Sequence, residues 1–352
     1  MKFIKLFTII SAFLVMLPLF VFQAQAFRFV VYSDCRAPKT DWTVAKKSRP
    51  YNLFNKDVLE YINSQIVELD PKPSFVLIGG DMVNRAYPNT DVTYTNSNLQ
   101  YFKDFMTETL DGIKLYVAVG NSDLYGITWW TELDLQTEFA QIFNDMPDNG
   151  PQTPVDFRHL VYSFEQGEGK EKSLFVVLDS FGIYSEVGKT TVHCDNDFDP
   201  YAFGDEQIDW FTSQVAASSA NHKFVFAHGP AFSVIGFPVA RNVKKIWDIA
   251  MSNQFDTFFC AHEHIFRRWN IDKASYPTAS GSLIQNLTGT AGAVPDSALS
   301  VQANPDGRIY FGYNFLVVDV EGDNVTERAY AVAQGTNDEY SAQLIDTVII
   351  SK

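Results

Sequence analysis

The sequence is poor in cysteine, in basic residues and, beyond its N-terminus, in long apolar runs. Three cysteines in 352 residues are too few for a disulfide scaffold. The 27 lysines and arginines are outnumbered by 42 aspartates and glutamates, which gives a formal charge of -15. This charge disfavours nucleic acid as a partner, because an acidic surface repels phosphate backbones. No stretch after Ala26 is long and apolar enough to span a bilayer, and the 46% apolar content is ample for a large core.

The N-terminus is typical of a secretory signal peptide. Two lysines precede an apolar run from Leu6 to Phe22, and Ala24-Gln25-Ala26 fits a cleavage site. We expect residues 1–26 to be removed, because a strand-like run begins at once with Phe27 and has to pair within a core. An uncleaved anchor is the alternative. The expected location is secreted or periplasmic, with no membrane attachment after cleavage.

Short apolar runs alternate with segments of helical periodicity, which predicts one α/β domain over residues 27–352 with two packed sheets flanked by helices. A hairpin is predicted at about residues 309–332, around the turn Glu321-Gly322-Asp323-Asn324. The predicted strands are Phe27–Ser33, Phe75–Ile78, Leu115–Val119, Leu174–Leu178, Lys223–Ala227 and Phe255–Cys260.

Residues that can bind a metal follow five of these strands. They are Asp34, Asp81, Asn121, His228, and the pair His262 and His264. Each one alone is more readily explained as a satisfied polar residue or a common turn. Together they indicate a metal centre, because ligands gather where the carboxyl ends of strands meet. Gly80 and Gly120 precede two of them and allow a sharp turn or a close approach of the backbone.

In order and type these segments resemble the calcineurin-like metallophosphoesterase family. The resemblance implies a four-layer α/β/β/α sandwich with two mixed sheets. The motifs that carry it are Ser33-Asp34-Cys35-Arg36, Gly80-Asp81-Met82-Val83-Asn84, Gly120-Asn121-Ser122-Asp123, His228-Gly229 and Ala261-His262-Glu263-His264.

The resemblance also implies a pair of divalent ions, Zn, Fe or Mn, held by mixed nitrogen and oxygen donors. Asp34, Asp81 and His264 would hold the first ion. The second ion would be held by Asp81, Asn121, His228 and His262. Two such ions, about 3.5–4 Å apart, can clamp a phosphoryl group and ionise water. The expected reaction is hydrolysis of a phosphomonoester or phosphodiester by metal-activated hydroxide.

Two residues depart from the family pattern. Arg36 stands where a histidine ligand is usual, so the first ion loses a donor unless Asn84 or water replaces it. We expect Arg36 to grip a substrate phosphate, with a structural salt bridge as the alternative. Ser122 stands where the family commonly has the proton-donating histidine, and Asp123 follows as the residue that commonly supports that histidine. His193 is more readily explained as an exposed loop histidine, and a replacement acid is the alternative.

The expected activity is therefore that of a metallophosphoesterase acting on a small phosphorylated substrate. Asn121 would also face the phosphate through its amide, so the catalytic candidates are Arg36, Asn121 and Asp123. Two alternatives stay open. One is a catalytically impaired phosphoesterase fold that acts as a ligand-binding module. The other is a hydrolase with one metal ion. The sequence leaves the oligomeric state undetermined.

Overall fold

The structure is a computed structural model that describes residues 26–37, 54–84, 98–124, 132–153, 156–181, 202–236, 239–296, 308–335 and 339–352, with the backbone alone for 132–135. The signal peptide expected at residues 1–26 falls outside these ranges except for Ala26, so cleavage and export stay predictions. Within the described ranges, no helix combines the length and the apolar character needed to cross a membrane.

The described chain forms thirteen strands and five α-helices. The strands are β1 Phe27–Tyr32, β2 Phe75–Ile78, β3 Lys114–Val117, β4 Tyr162–Gln166, β5 Ser173–Leu178, β6 His222–Ala227, β7 Thr257–Cys260, β8 Phe266–Ile271, β9 Leu283–Thr288, β10 Arg308–Tyr310, β11 Tyr313–Glu321, β12 Asn324–Gln334 and β13 Tyr340–Ser351. The α-helices are α1 Lys56–Val67, α2 Asn98–Thr109, α3 Glu132–Ile142, α4 Asp205–Ala217 and α5 Val243–Ser252; short 3-10 turns lie at Ser122–Leu124 and Gly169–Glu171.

The strands form two mixed sheets. The first has the order β13-β12-β11-β1-β2-β3, and the second has the order β10-β8-β9-β7-β6-β5-β4. Strands β1, β2 and β3 run parallel, as do β5, β6 and β7. The carboxyl ends of each parallel group therefore meet at one edge of its sheet, and the loops that follow them are brought together.

Aromatic side chains hold the two sheets face to face. The Phe29 ring on β1 packs edge-on against Phe175 on β5 and Phe224 on β6, at centroid distances of 5.1 and 5.3 Å. Phe75 on β2 also packs edge-on against Phe175. Such edge-to-face pairs are favourable beyond the apolar area they bury. The interior between the sheets is therefore a packed aromatic layer that fixes their separation.

Helices cover the outer faces and complete the four layers. On the first sheet, α1 and α2 bury residues of helical spacing that include Leu59, Ile62 and Phe102. On the second, α4 and α5 bury Phe211, Ile246 and Trp247 against β5, β6 and β7. The prediction of an α/β fold with two packed mixed sheets is confirmed.

The turn of the predicted C-terminal hairpin is confirmed, but the predicted start of its first strand is wrong. Strands β11 and β12 pair antiparallel around the turn, with Glu321 opposite Asn324. Ile309 and Tyr310, which were expected to begin this hairpin, pair instead with β8 in the other sheet. Gly312 marks the change of sheet: a Cβ there would lie 2.6 Å from the Tyr310 ring, so a larger residue would have to displace that ring.

Candidate metal centre

All six predicted ligands follow strands, and both sheets contribute. Asp34, Asp81 and Asn121 follow β1, β2 and β3, whereas His228, His262 and His264 follow β6 and β7. Backbone hydrogen bonds join the loops: Asp34 N–H donates to the Gly80 carbonyl at 3.0 Å, and Ala261 N–H donates to the His228 carbonyl at 2.9 Å. The first sheet thus supplies oxygen donors and the second supplies imidazoles.

Three of these residues have left-handed backbone conformations. Asp34, Asp81 and His262 have φ values of 52°, 54° and 74°. A residue with a Cβ is strained in this region by roughly 1–2 kcal/mol, and such strain is concentrated at functional sites. The surrounding packing holds the strain in place. A Cβ on Gly120 would lie 2.1 Å from the Asp81 nitrogen, so the expected close approach at this glycine is confirmed.

The Asp81 carboxylate is buried and accepts hydrogen bonds on both oxygens. Ser122 donates its N–H to Oδ1 and its hydroxyl to Oδ2, both at 2.8 Å. Arg36 Nε donates to Oδ2 at 3.1 Å. Burial raises the pKa of Asp81, but the neighbouring His228 and Arg36 and the Ser122 bond outweigh burial and lower the pKa to about 2. Asp81 is therefore ionised at neutral pH, as a metal ligand must be.

His228 is oriented as a metal-binding imidazole. Its Nδ1 lies 2.7 Å from the Gly79 carbonyl, which can only accept, so Nδ1 carries the proton and the lone pair is on Nε2. Nε2 is buried and has no hydrogen-bond partner within the described ranges. It lies 3.4 Å from Asp81 Oδ1. Two lone pairs that face each other in a buried site repel each other, and a cation between them would remove this repulsion.

Asn121 and His262 complete this second predicted set. The Asn121 side-chain oxygen lies 3.0 Å from His262 Nδ1. Burial first, and then the neighbouring His228, lower the pKa of His262 to about 3. A neutral imidazole is the form that binds a metal ion. The four residues of the second set therefore fit a divalent cation in number, charge and donor type.

The first predicted set also comes together. Asp34, Asp81 and His264 each offer a ligand atom within 4.8 Å of the other two, which makes them a candidate metal-binding cluster. His264 Nδ1 lies 2.9 Å from the Val294 carbonyl, and its Nε2 lies 3.3 Å from Asp34 Oδ1. Asp34 Oδ2 accepts the His262 N–H at 3.2 Å.

Arg36 lies inside this first cluster. Its Nε contacts Asp81 Oδ2 and its Nη2 contacts His264 Nε2, both at 3.1 Å. The side chain is only 13% exposed. The salt bridge that the sequence left as an alternative is therefore present. The role of Arg36 in phosphate binding stays a prediction.

Asp123 lies beneath the site as a scaffold for its loops. Its carboxylate accepts the N–H groups of Gly120, Asp81, Met82 and Val83. Burial and the Asp81 charge raise the pKa of Asp123, yet the four donors occupy the lone pairs on which a proton would have to lie. Asp123 therefore contacts the site indirectly, by accepting the backbone N–H of Asp81.

Asn84 and the two buried cysteines are engaged differently from the predicted ligands. Asn84 donates to the Ala37 carbonyl at 3.0 Å, a contact outside the predicted ligand sets. Cys35 and Cys260 are buried free thiols, and burial raises the pKa of both, which favours the protonated form over the thiolate that binds metal. His193 falls outside the described residues, so its role as a replacement acid stays a prediction.

Sequence reasoning missed the groups that orient the histidines. The Gly79 and Val294 carbonyls fix the rings of His228 and His264. Glu263, between the two final histidines, is buried and accepts the Val234 N–H and the Ser233 hydroxyl. Glu263 could have been noticed from the sequence, because it is an acidic residue inside the His-x-His motif. The carbonyls of Gly79 and Val294 could not, because every residue has a backbone carbonyl.

Comparison with known proteins agrees with this geometry. The profile of the family described as calcineurin-like phosphoesterase matches residues 27–266. No curated protein is significantly similar in sequence. Among solved structures, the fold is similar to the purple acid phosphatase PPD1 of yellow lupin (Lupinus luteus), with a TM-score of 0.58 and 15% identity over 94% of this chain and 54% of that one. This chain thus spans about half the length of the lupin enzyme.

Two further structures share the fold. PhoD has a TM-score of 0.61 and 12% identity, with 93% of this chain and 70% of PhoD covered. GAP50, described as the anchor in the inner membrane complex of Plasmodium, has a TM-score of 0.55 and 11% identity, with 93% and 89% covered. At these identities the likeness establishes the fold alone.

Proposed function

Because the chain belongs to the calcineurin-like phosphoesterase family, we propose that it catalyses the metal-dependent hydrolysis of a small phosphomonoester or phosphodiester. The observation that carries the proposal is the opposition of His228 Nε2 and Asp81 Oδ1 at 3.4 Å in a buried site. The Gly79 carbonyl only accepts and therefore fixes the Nδ1 proton of the His228 imidazole, so Nε2 and Asp81 Oδ1 are two ligand atoms that face the same point.

A divalent cation, when bound by Asp81, Asn121, His228 and His262, would polarise the phosphoryl oxygens and activate a water molecule as nucleophile. Mixed imidazole and oxygen donors suit Zn, Fe or Mn. The chain's own residues would bind and orient the ester. The Asn121 amide nitrogen is a donor for a phosphoryl oxygen, since its carbonyl oxygen faces His262. Within the described residues Arg36 uses two of its five N–H groups, on Asp81 and His264, and the others would be donors for phosphate.

Ser122 limits the kind of ester that the site can cleave. Its hydroxyl proton is directed at Asp81 Oδ2 and its position is buried, so it is a poor acid for a departing alkoxide. The proposal therefore favours esters with a stable leaving group, which depart without protonation.

The test is turnover of p-nitrophenyl phosphate and bis(p-nitrophenyl) phosphate by the purified chain, with Mn, Zn or Fe added and with a chelator. We expect turnover that needs the metal and that falls at least 100-fold in His228→Asn. The control is His159→Asn, because His159 bonds the Met146 carbonyl away from the site. Turnover that survives the chelator and His228→Asn would contradict the proposal. Metal binding without turnover of either ester would favour a ligand-binding module instead.

A further inference from the structure

The Arg36 guanidinium lies between two of the three residues that would hold the first ion. It donates to Asp81 Oδ2 through Nε and to His264 Nε2 through Nη2, at 3.1 Å each. A guanidinium only donates hydrogen bonds and stays charged in proteins. Both contacts therefore consume acceptor lone pairs that a metal ion would need.

His264 has a single lone pair to give. Its Nδ1 lies 2.9 Å from the Val294 carbonyl and must carry a proton, which leaves Nε2 as the acceptor. Asp34 Oδ1 also lies near this atom, at 3.3 Å. A proton on Nε2 would point at an Arg36 N–H, so the contact with Arg36 requires the neutral imidazole and takes its only lone pair.

Asp81 Oδ2 is similarly saturated. It accepts the Ser122 hydroxyl at 2.8 Å and Arg36 Nε at 3.1 Å, and a carboxylate oxygen has two lone pairs in the plane. Oδ1 accepts one N–H, from Ser122, and its remaining side faces His228 Nε2. Oδ1 is thus the oxygen of Asp81 that can still bind a cation, and it faces the second site.

We infer that the Arg36 guanidinium replaces the first metal ion, so that the protein binds one divalent cation, at Asp81, Asn121, His228 and His262. The inference rests on the proposed function for the second site and specifies its metal content. The guanidinium places a fixed positive charge beside the buried Asp34 and Asp81 carboxylates, which is the electrostatic task of an ion there. It leaves one acceptor unfilled, because Asp34 Oδ1 has no hydrogen-bond donor within the described ranges.

The experiment counts metal in the purified full-length chain after saturation with Mn²⁺ and removal of the excess. Elemental analysis gives the number of ions per chain, and electron paramagnetic resonance separates an isolated Mn²⁺ from a spin-coupled pair. The variants are Arg36→His, which restores a ligand, and Arg36→Ala, which removes the guanidinium without adding a donor. Arg28→His is the matched control, because Arg28 forms an ion pair with Asp319 remote from the site.

We expect about one ion per chain and an uncoupled signal for the wild type and for Arg28→His, and about two ions with a coupled signal for Arg36→His. A wild type that binds two ions, or none, would overturn the inference. So would an Arg36→His variant that folds, by circular dichroism, and still binds one. If Arg36→His does not fold, the wild-type count and signal decide the matter together with Arg36→Ala, whose count should rise above one because the same lone pairs are freed.

Turnover of bis(p-nitrophenyl) phosphate by the same preparations separates this inference from the proposed function. Two ions with metal-dependent turnover would overturn the replacement by Arg36 and leave the hydrolase standing. One ion without turnover would support the replacement and contradict the hydrolase.

Discussion

Ser122 holds the Asp81 carboxylate through two bonds at once, with its N–H on one oxygen and its hydroxyl on the other, each at 2.8 Å. The residue that stands where the family commonly has a histidine therefore supports Asp81, a predicted metal ligand. The serine directs the lone pairs of Asp81, and its N–H bond adds to the effect of His228 and Arg36, which lower the pKa of this carboxylate.

Substitution of Ser122 by alanine should destabilise the fold more than loss of an ordinary buried hydroxyl. The hydroxyl donates to a buried charge, and such a bond is worth about 1.5–3 kcal/mol. Ser173→Ala is the control, since its buried hydroxyl donates to the neutral Glu171 carbonyl and its loss should cost only about 1 kcal/mol. Urea unfolding midpoints measure both. Equal losses in the two variants would show that Asp81 does not depend on this bond.

The rate of hydrolysis should depend steeply on the leaving group. Ser122 is a poor proton donor, and general acid catalysis usually contributes roughly 10²–10⁴-fold. We therefore expect p-nitrophenyl phosphate to be cleaved faster than alkyl phosphates by a factor of that order. A series of aryl and alkyl phosphates at constant pH measures the slope. A flat series would reveal a proton donor elsewhere in the chain.

Asp123→Asn should act on stability first and on turnover second. The substitution places an amide where a carboxylate oxygen accepts backbone N–H groups, which leaves two of four donors facing an NH₂ group. The expected loss is on the order of 2–4 kcal/mol in unfolding free energy. Calorimetry together with kcat on the folded fraction measures the two effects. A stable variant that has lost all turnover would instead support the catalytic role expected from the sequence.

Stability should fall as the pH rises from about 4.5 to about 7, because of Glu327. This carboxyl is buried between Thr257 and Asn286, and burial raises its pKa from 4.5 to about 7. A raised pKa in the folded state means that the folded protein holds the proton more tightly than the unfolded chain does. The stabilisation is complete below pH 4.5 and is lost by about pH 7, a change on the order of 3 kcal/mol.

Glu327→Gln should reduce this slope by the Glu327 contribution, so that above pH 7 the variant is more stable than the wild type; Asp179, whose pKa burial also raises to about 7, keeps a part of the slope. The measurement is the urea midpoint between pH 4.5 and pH 8. Glu321→Gln, at an exposed turn position, is the control and should keep the slope. A Glu327→Gln variant with an unchanged slope would assign the pH dependence to other groups.

Much of the candidate site could be predicted because each predicted ligand comes directly after a strand that the sequence shows. Asp34, Asp81, Asn121 and His228 each follow a hydrophobic strand, and parallel pairing brings such positions together. The role of Gly120 could also be predicted from the sequence, because only a glycine allows this close contact with Asp81.

The contacts of Arg36 could not be predicted, because they depend on distances between loops of both sheets. Arg36 and His264 are 228 positions apart in sequence, and only the folded chain shows that they compete for one lone pair. The orienting carbonyls of Gly79 and Val294 and the pairing of Ile309 with β8 were missed for a similar reason. Backbone groups have no residue type, and the choice between two sheets depends on packing.

The hydrogen bond from the His228 ring to Gly79 joins the end of one sheet to the end of the other. The separation of the sheets is set below it by the rings of Phe29, Phe175 and Phe224. The affinity of the proposed site for a cation should therefore depend on how the rings between the two sheets are packed. Phe224→Leu, which touches no ligand, should weaken ion binding. Phe211→Leu, on the outer helix layer, should lower stability and leave the affinity of the folded protein unchanged.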